Sequence, residues 1–411
     1  MTIAPSTSSM PDLAITERHR QNFPALTDKA YFNYGGQGPM ARISLDAIQH
    51  AHEYFQQKGP FSENVNVWLR QEVVATRQSI AQELQVPAET VALTENVTVG
   101  CNIPLWGIDW RLGDHLLLSD CEHPGVIAAA QEVSRRYGVQ VTVYPLLATL
   151  NQGDPTAVIA DHLRPATRLL IISHILWNTG QLLPLTDIVE VCHAHTPQSV
   201  LVLVDAAQSV GVLPLNLIES GVDFYAFTGH KWWCGPAGLG GLYIRPDVLD
   251  QIHPTLIGWR GVTLDEVGNP TGWQSHAKRF EIATSDYPLM AGLKAAIALH
   301  NQWGSAQIRY QRICELSQYL WGRLTDLPTI TCLRTAPPET GLVSFQITPN
   351  GAPAPKLHPQ LVQTLEQQGI FLRTLLHPNC VRACTHYFTL ESEIDQLVEA
   401  IQQWVDVEGV K

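Results

Sequence analysis

The chain has no cluster of lysine or arginine to offset a net charge of −12, so neither nucleic acid nor an anionic membrane is expected as a partner. Its apolar runs, such as "LLIISHILW" and "VLVLVDAA", are too short to span a bilayer. Its start, "MTIAPSTSSM", has neither a basic nor an apolar region, so no signal peptide and a cytoplasmic location are expected. None of its eight cysteines forms a C-x-x-C pair, which excludes a zinc ribbon and a thioredoxin-type motif and leaves no metal to expect. Reduced thiols are the default, with Cys380 and Cys384 read as packing residues. A dinucleotide-binding dehydrogenase would need G-x-G-x-x-G after its first strand, and that motif is missing.

What remains is ample for two packed domains: 411 residues, 45% of them apolar. Short apolar runs alternate with amphipathic helices from about residue 90 to 245, the runs falling at 115–120, 139–144, 168–173, 200–205 and 222–227. Near-continuous apolar strands joined by helical crossovers imply a mostly parallel sheet covered on both faces, an α/β domain. After about residue 270 a long helical segment, "YPLMAGLKAAIALHNQWG", leads into helices and strands separated by Pro-rich loops. The expected division is an N-terminal arm (1–21) packed with the small domain, a large domain (22–270) and a smaller α+β domain (271–411).

Ligands of open α/β sheets sit beyond the carboxyl ends of the strands, and the notable polar residues fall there. "ALTENVTVGCN" follows a strand and opens a helix with Thr94, Asn96 and Thr98, and "DCEHPG" puts His123 on a loop at the same edge. "VLVLVDAAQS" ends in Asp205 and Gln208, and "VDFYAFTGHK" in Thr228, His230 and Lys231. Each has an ordinary reading: Thr94, Asn96 or Asp205 as a helix cap, His123 as a loop residue, Lys231 with its stem along Trp232 and Trp233. Together they make one chemical sense. A carboxylate at the end of an apolar strand needs a cationic partner, and a lysine among aromatics has its amine favoured over its ammonium. A helix start rich in hydroxyl and amide groups holds a phosphate. A cofactor with a cationic ring nitrogen, an aldehyde and a phosphate requires that set, and pyridoxal 5'-phosphate is that cofactor.

"VDAAQS" followed by "TGHKWWCGPAGLGGLY" resembles the class V aminotransferase (cysteine desulfurase-like) family of fold-type I enzymes. The resemblance runs from "YFNYGGQGPM" to "VRACTHYFTLESEID". It implies that Lys231 carries the cofactor as a Schiff base, Asp205 pairs with the pyridinium nitrogen and Gln208 bonds the phenolic oxygen. It further implies that His123 stacks on the ring, while Val97 (backbone), Thr98, Thr228 and His230 hold the phosphate. "FEIATSD" matches a segment through which a partner subunit completes that site, implying a role for Thr284 and a homodimer. Arg382 matches the arginine that takes the substrate carboxylate. Further candidates for the substrate side are Gly36 in "NYGGQGP", Asn178 in "WNTGQ", one place from the family's asparagine and within reach of cofactor or substrate, and Trp259 in "IGWRG", expected from the partner subunit.

Cysteine desulfurases carry a catalytic cysteine on a loop before that arginine. Here only residues 374–381 separate Arg373 from Arg382, so the loop is truncated and Cys380 is read as a strand-end packing residue. The expected activity is therefore β-elimination from L-cystine or L-cysteine, giving pyruvate, ammonia and a persulfide or sulfide, as in the C–S lyase branch of the family. The persulfide would be a sulfur donor to an iron–sulfur scaffold. Cysteine desulfuration, an isopenicillin N epimerase-like epimerisation and a cofactor-bearing regulator or scaffold remain the alternatives.

Overall fold

A computed structural model describes residues 11–409. The chain opens with α1 (Leu13–Arg20) and the short β1 (Ala30–Tyr31), followed by α2 (Arg42–Lys58) and α3 (Glu63–Leu84). Strands and helices then alternate through β2 (Val91–Thr94), α4 (Val97–Gly107), β3 (His115–Ser119), α5 (Pro124–Tyr137), β4 (Gln140–Tyr144) and α6 (Pro155–His162). The alternation continues through β5 (Thr167–Ser173), α7 (Leu185–His193), β6 (Leu201–Asp205), α8 (Leu217–Ser220), β7 (Phe224–Thr228) and β8 (Gly240–Ile244). A hairpin of β9 (Val262–Leu264) and β10 (Pro270–Trp273) precedes α9 (Pro288–Trp303) and α10 (Ala306–Thr325). The last part holds β11 (Ile330–Cys332), β12 (Leu342–Ile347), α11 (Leu357–Gln367), β13 (Ile370–Phe371), β14 (Arg373–Leu376), β15 (Asn379–Cys384) and α12 (Glu391–Val407).

Strands β2 to β8 make one seven-stranded sheet in the order β2-β8-β7-β6-β5-β3-β4. Every pairing from β7 through β4 is parallel, and β8 runs antiparallel between β2 and β7. The expected mostly parallel α/β sheet is the observed one. Its apolar runs are continuous because both faces are covered: Leu170, Val202 and Val204 feed one core, whereas Leu169, Leu201 and Leu203 feed the other. β4 departs from that pattern as the edge strand, with Gln140 and Val143 facing solvent.

A second, antiparallel sheet has the order β11-β12-β15-β14. Leu316 and Leu320 of α10, Leu361 of α11 and Ile394 and Leu397 of α12 pack on its Phe345 and Val381. β1 pairs in parallel with β13, tying the start of the chain to its end. α9 lies against α3, since Met290, Leu293 and Ile297 share a core with Val73 and Ile80. Of the expected arm, residues 1–10 lie outside the described residues. α1 docks through Arg20, which donates to the Phe388 carbonyl at 2.7 Å and to Glu393 at 2.6 Å. Among the described residues, no helix is long and apolar enough to cross a membrane, and no three side chains are grouped to hold a metal ion.

Candidate active site

Asp205 ends β6, and Thr228 ends the neighbouring β7, so both sit at the carboxyl edge of the large sheet. Asp205 is buried, and its Oδ1 accepts from the Ala207 amide at 2.9 Å. Lys231 follows in a tight turn. Burial is the largest cause that lowers its pKa to about 8; Arg382 and Arg373 lower it too, and Asp205 opposes them. The free amine is therefore accessible near neutral pH.

The turn is tied down at four successive carbonyls. His230 O accepts from the Gly38 amide at 2.8 Å, and Lys231 O from the Cys234 amide at 3.0 Å. His386 Nε2 donates to Trp232 O at 2.9 Å, and His300 Nε2 to Trp233 O at 2.8 Å. A carbonyl only accepts, so both histidines carry their proton on Nε2. His300 Nδ1 then accepts from the Tyr387 hydroxyl at 2.5 Å, and that hydroxyl accepts from His19 Nε2 at 2.9 Å. Burial lowers the pKa of His386 to about 3, that of His19 to about 4, and that of His300 well below 6.5. Gly38 is required by close approach, because a Cβ there would lie 2.2 Å from Lys231 O.

The residues expected at a phosphate lie at one place in the fold. Asn96 caps α4 by accepting from the Val99 amide at 3.0 Å, which leaves the Val97 and Thr98 amides in the unpaired first turn. Thr228 Oγ1 and His230 Nδ1 are 2.7 Å apart. The position of a Cβ on Gly240 would be 3.1 Å from both Asn96 Cα and Thr228 Cα, so the start of α4 abuts the end of β7. Thr284 is exposed and lines, with Thr98, a cavity of about 940 Å³ whose walls include Arg260 and Glu281. Glu281 pins that segment to the sheet: it accepts from the Leu93 amide at 3.1 Å and pairs with Arg77 at 2.7 Å and Arg260 at 3.0 Å.

His123 caps α5, its Nδ1 accepting from the Gly125 amide at 3.2 Å, and meets Trp177 edge-on at 5.7 Å. Desolvation lowers its pKa, with Asp205 acting against that shift. Arg382 is 1% exposed on β15 and gives one N–H to Trp177 O at 2.6 Å, while its Nε and Nη2 have no partner. Asn178 is buried beside it, donating to His377 O at 3.1 Å with its Oδ1 unpaired. Gly35 and Gly36 run past this group: a Cβ on Gly35 would lie 2.9 Å from Arg382 Cζ, and one on Gly36 2.7 Å from Asn33 Oδ1. Gln208 bridges it to the lysine turn, donating to Gly35 O and accepting from Trp232 Nε1, both at 2.9 Å.

Trp259 stands apart, 61% exposed beside Leu256 and Ile257 and with no aromatic partner among the described residues. Trp232 packs against site residues, whereas Trp233 meets Phe227 edge-on at 5.7 Å behind the turn. Two residues escaped the sequence reading. Arg373 faces Arg382 across the β14–β15 pair. Glu122 is buried and accepts from Ser119 Oγ at 2.5 Å and Ser173 Oγ at 2.8 Å, and Ser173 is the register partner of Asp205. Burial raises the Glu122 pKa to about 7. Only sheet register reveals the first, and only buried contacts reveal the second.

A lysine after a parallel strand, an aspartate ending the strand beside it and a buried arginine with two N–H groups unpaired among the described residues define a class of protein. The family described as Aminotransferase class-V matches residues 42–397, and the chain belongs to that family. It is 28% identical to isopenicillin N epimerase of Streptomyces clavuligerus over 90% of this chain and 93% of that one. It is 29% identical to a cysteine desulfurase of Klebsiella pneumoniae (strain 342), over 94% of this chain and 97% of that one. Among solved structures, the cystine C–S lyase C-DES with its reaction product cysteine persulfide superposes with a TM-score of 0.89 at 51% identity, covering 92% of this chain and 98% of that one. A C-DES mutant with glycine covalently linked to its PLP cofactor gives 0.90 at 49%, covering 95% and 98%.

Proposed function

We propose that this chain is a pyridoxal-phosphate-dependent carbon–sulfur lyase that cleaves L-cystine, or L-cysteine, to pyruvate, ammonia and a persulfide or sulfide. The observation that carries the reading is the β14–β15 hairpin. Leu376 pairs with Asn379, so only His377 and Pro378 form the turn, and Cys380 lies fully buried opposite Leu375. No loop is left there to bring a thiol to a substrate sulfur. The similarity to C-DES supports the same reading.

The residues fit the cofactor. Lys231 offers a depressed-pKa amine, Asp205 a buried carboxylate, and the first turn of α4 free amides, with Thr228 and His230 beside them. Bound there, the cofactor supplies an electron sink for the pair left when the substrate Cα–H bond breaks. Lys231 Nζ takes that proton, and Asp205 holds positive charge at the pyridine nitrogen. His123 would lie over the cofactor's ring. Arg382, through its unpaired Nε and Nη2, orients the α-carboxylate, aided by Asn178 and the glycine strip at Gly36. The Cβ–S bond then breaks with its electron pair on sulfur, and a persulfide is a more stable anion than an alkyl thiolate.

The same proposal includes a homodimer in which Thr284 and Trp259 reach the partner's site, a division into domains at about residue 270, and an iron–sulfur scaffold as sulfur acceptor. Support for the dimer comes from three neighbouring apolar side chains, Leu256, Ile257 and Trp259, each at least 60% exposed. A cytoplasmic setting agrees with eight free cysteines.

The test is an end-product assay with L-cystine and, separately, L-cysteine, quantifying pyruvate against alanine. Pyruvate is expected, fastest from cystine. Alanine would replace the lyase reading with desulfuration, and neither product would favour the epimerase.

A further inference from the structure

We propose that Trp232 is a positioning residue that fixes the side-chain amide of Gln208 in one orientation, so that Gln208 presents only a donor to the cofactor's ring oxygen. The inference rests on the cofactor reading above, and it assigns a task to a tryptophan that the chemistry itself leaves unused.

An amide has two chemically different ends, and its two partners here are both one-way. The indole N–H of Trp232 can only donate, so the atom 2.9 Å from it must be Gln208 Oε1. The Gly35 carbonyl can only accept, so the atom 2.9 Å from it must be Nε2. The two constraints agree, and one N–H of Nε2 is left over. Trp232 is itself immobilised: it is 1% exposed, stacks on Tyr34 at 6.1 Å and on His386 at 5.8 Å, and has its carbonyl held by His386.

The surroundings give the orientation its meaning. A Cβ on Gly35 would be 3.0 Å from Gln208 Oε1 and 2.9 Å from Arg382 Nη2, so the two side chains crowd one small space. The free groups of these two side chains, the second Gln208 N–H and the Arg382 Nε and Nη2, are donors. A ligand oxygen would complete them. A flipped Gln208 would turn an oxygen toward them and would repel the ring oxygen that its N–H would otherwise stabilise.

The test is a spectral pH titration of the holoenzyme, reading the midpoint at which the absorption band of the bound cofactor changes. Trp232→Phe keeps the stacking and deletes only the N–H, and Gln208→Leu deletes the donor. Asp205, Arg373, Arg382 and Cys384, the groups acting on Lys231, are retained in each variant. A hydrogen bond that favours the oxyanion lowers the midpoint, so both variants should raise it by about one pH unit. The double variant should rise no further than either alone. If Trp232→Phe does not fold, the isosteric replacement of Trp232 by benzothienylalanine, with sulfur in place of N–H, serves the same purpose. A wild-type midpoint in the Trp232 variant, with or without a shift in Gln208→Leu, overturns the inference while leaving the cofactor reading intact. Wild-type protein that forms no band with pyridoxal phosphate overturns the cofactor reading itself.

Discussion

Arg373 and Arg382 face each other as register partners on β14 and β15. Opposed residues of an antiparallel pair share a face, and like charges so placed repel unless an anion lies between them. On the proposed reading that anion is the substrate carboxylate. Arg382→Lys keeps the charge but loses the planar fork, and KM for the amino acid is expected to rise about tenfold or more, with the cofactor band unchanged. Steady-state kinetics beside an absorption spectrum separates the two effects.

On the proposed reading, Lys231→Ala removes the amine that both holds the cofactor and takes the Cα proton. The visible band of the bound cofactor is expected to disappear, and kcat to fall by on the order of 10³-fold or more. An unchanged band in the variant would exclude Lys231 from the cofactor site.

Cys380 is fully buried in β15, and burial pushes its thiol up to about 12. It stays protonated and fixed. Cys380→Ala is expected to leave pyruvate formation from cystine unchanged, and loss of sulfur release in that variant would revive a thiol-dependent route.

Glu122 gives stability a pH dependence. Its folded pKa is raised to about 7 from 4.5, so its contribution is fully present below about pH 4.5 and is lost as pH rises through 7. The loss is at most about 3 kcal/mol. Glu122→Gln should flatten the denaturation midpoint between those limits, measured by urea unfolding at a series of pH values.

The buried histidines act in the opposite direction. His19 and His386 titrate at about 4 and about 3 in the folded chain, so their contribution is present above 6.5 and is lost as pH falls toward those values. His300→Leu leaves Trp233 O without its donor and the Tyr387 hydroxyl without its acceptor, though still bonded to His19, and should cost about 1–3 kcal/mol. His300→Gln, which can keep one of the two bonds, should cost less in the same unfolding experiment.

Much of this was legible before any coordinates. The strand ending in Asp205 and that ending near Lys231 are buried on both faces, so their apolar runs stand out, and residue order along the chain then placed Asp205, Gln208 and Lys231 at one sheet edge. Arg373 was not legible as a site residue, because its partner depends on hairpin register. Nor was the task of Trp232, which depends on where one N–H points. Trp259 illustrates a third limit: its exposed ring has no aromatic contact within the described chain to give it a meaning.

The hydrogen-bonded run from His19 through Tyr387 and His300 to Trp233 joins three distant parts of the sequence at the lysine turn. A ribosome makes the lysine turn long before it makes residues 386 and 387, which supply or complete the donors to two of the turn's carbonyls. Two of the four ties on that turn, at Trp232 O and Trp233 O, therefore depend on residues far beyond it in sequence.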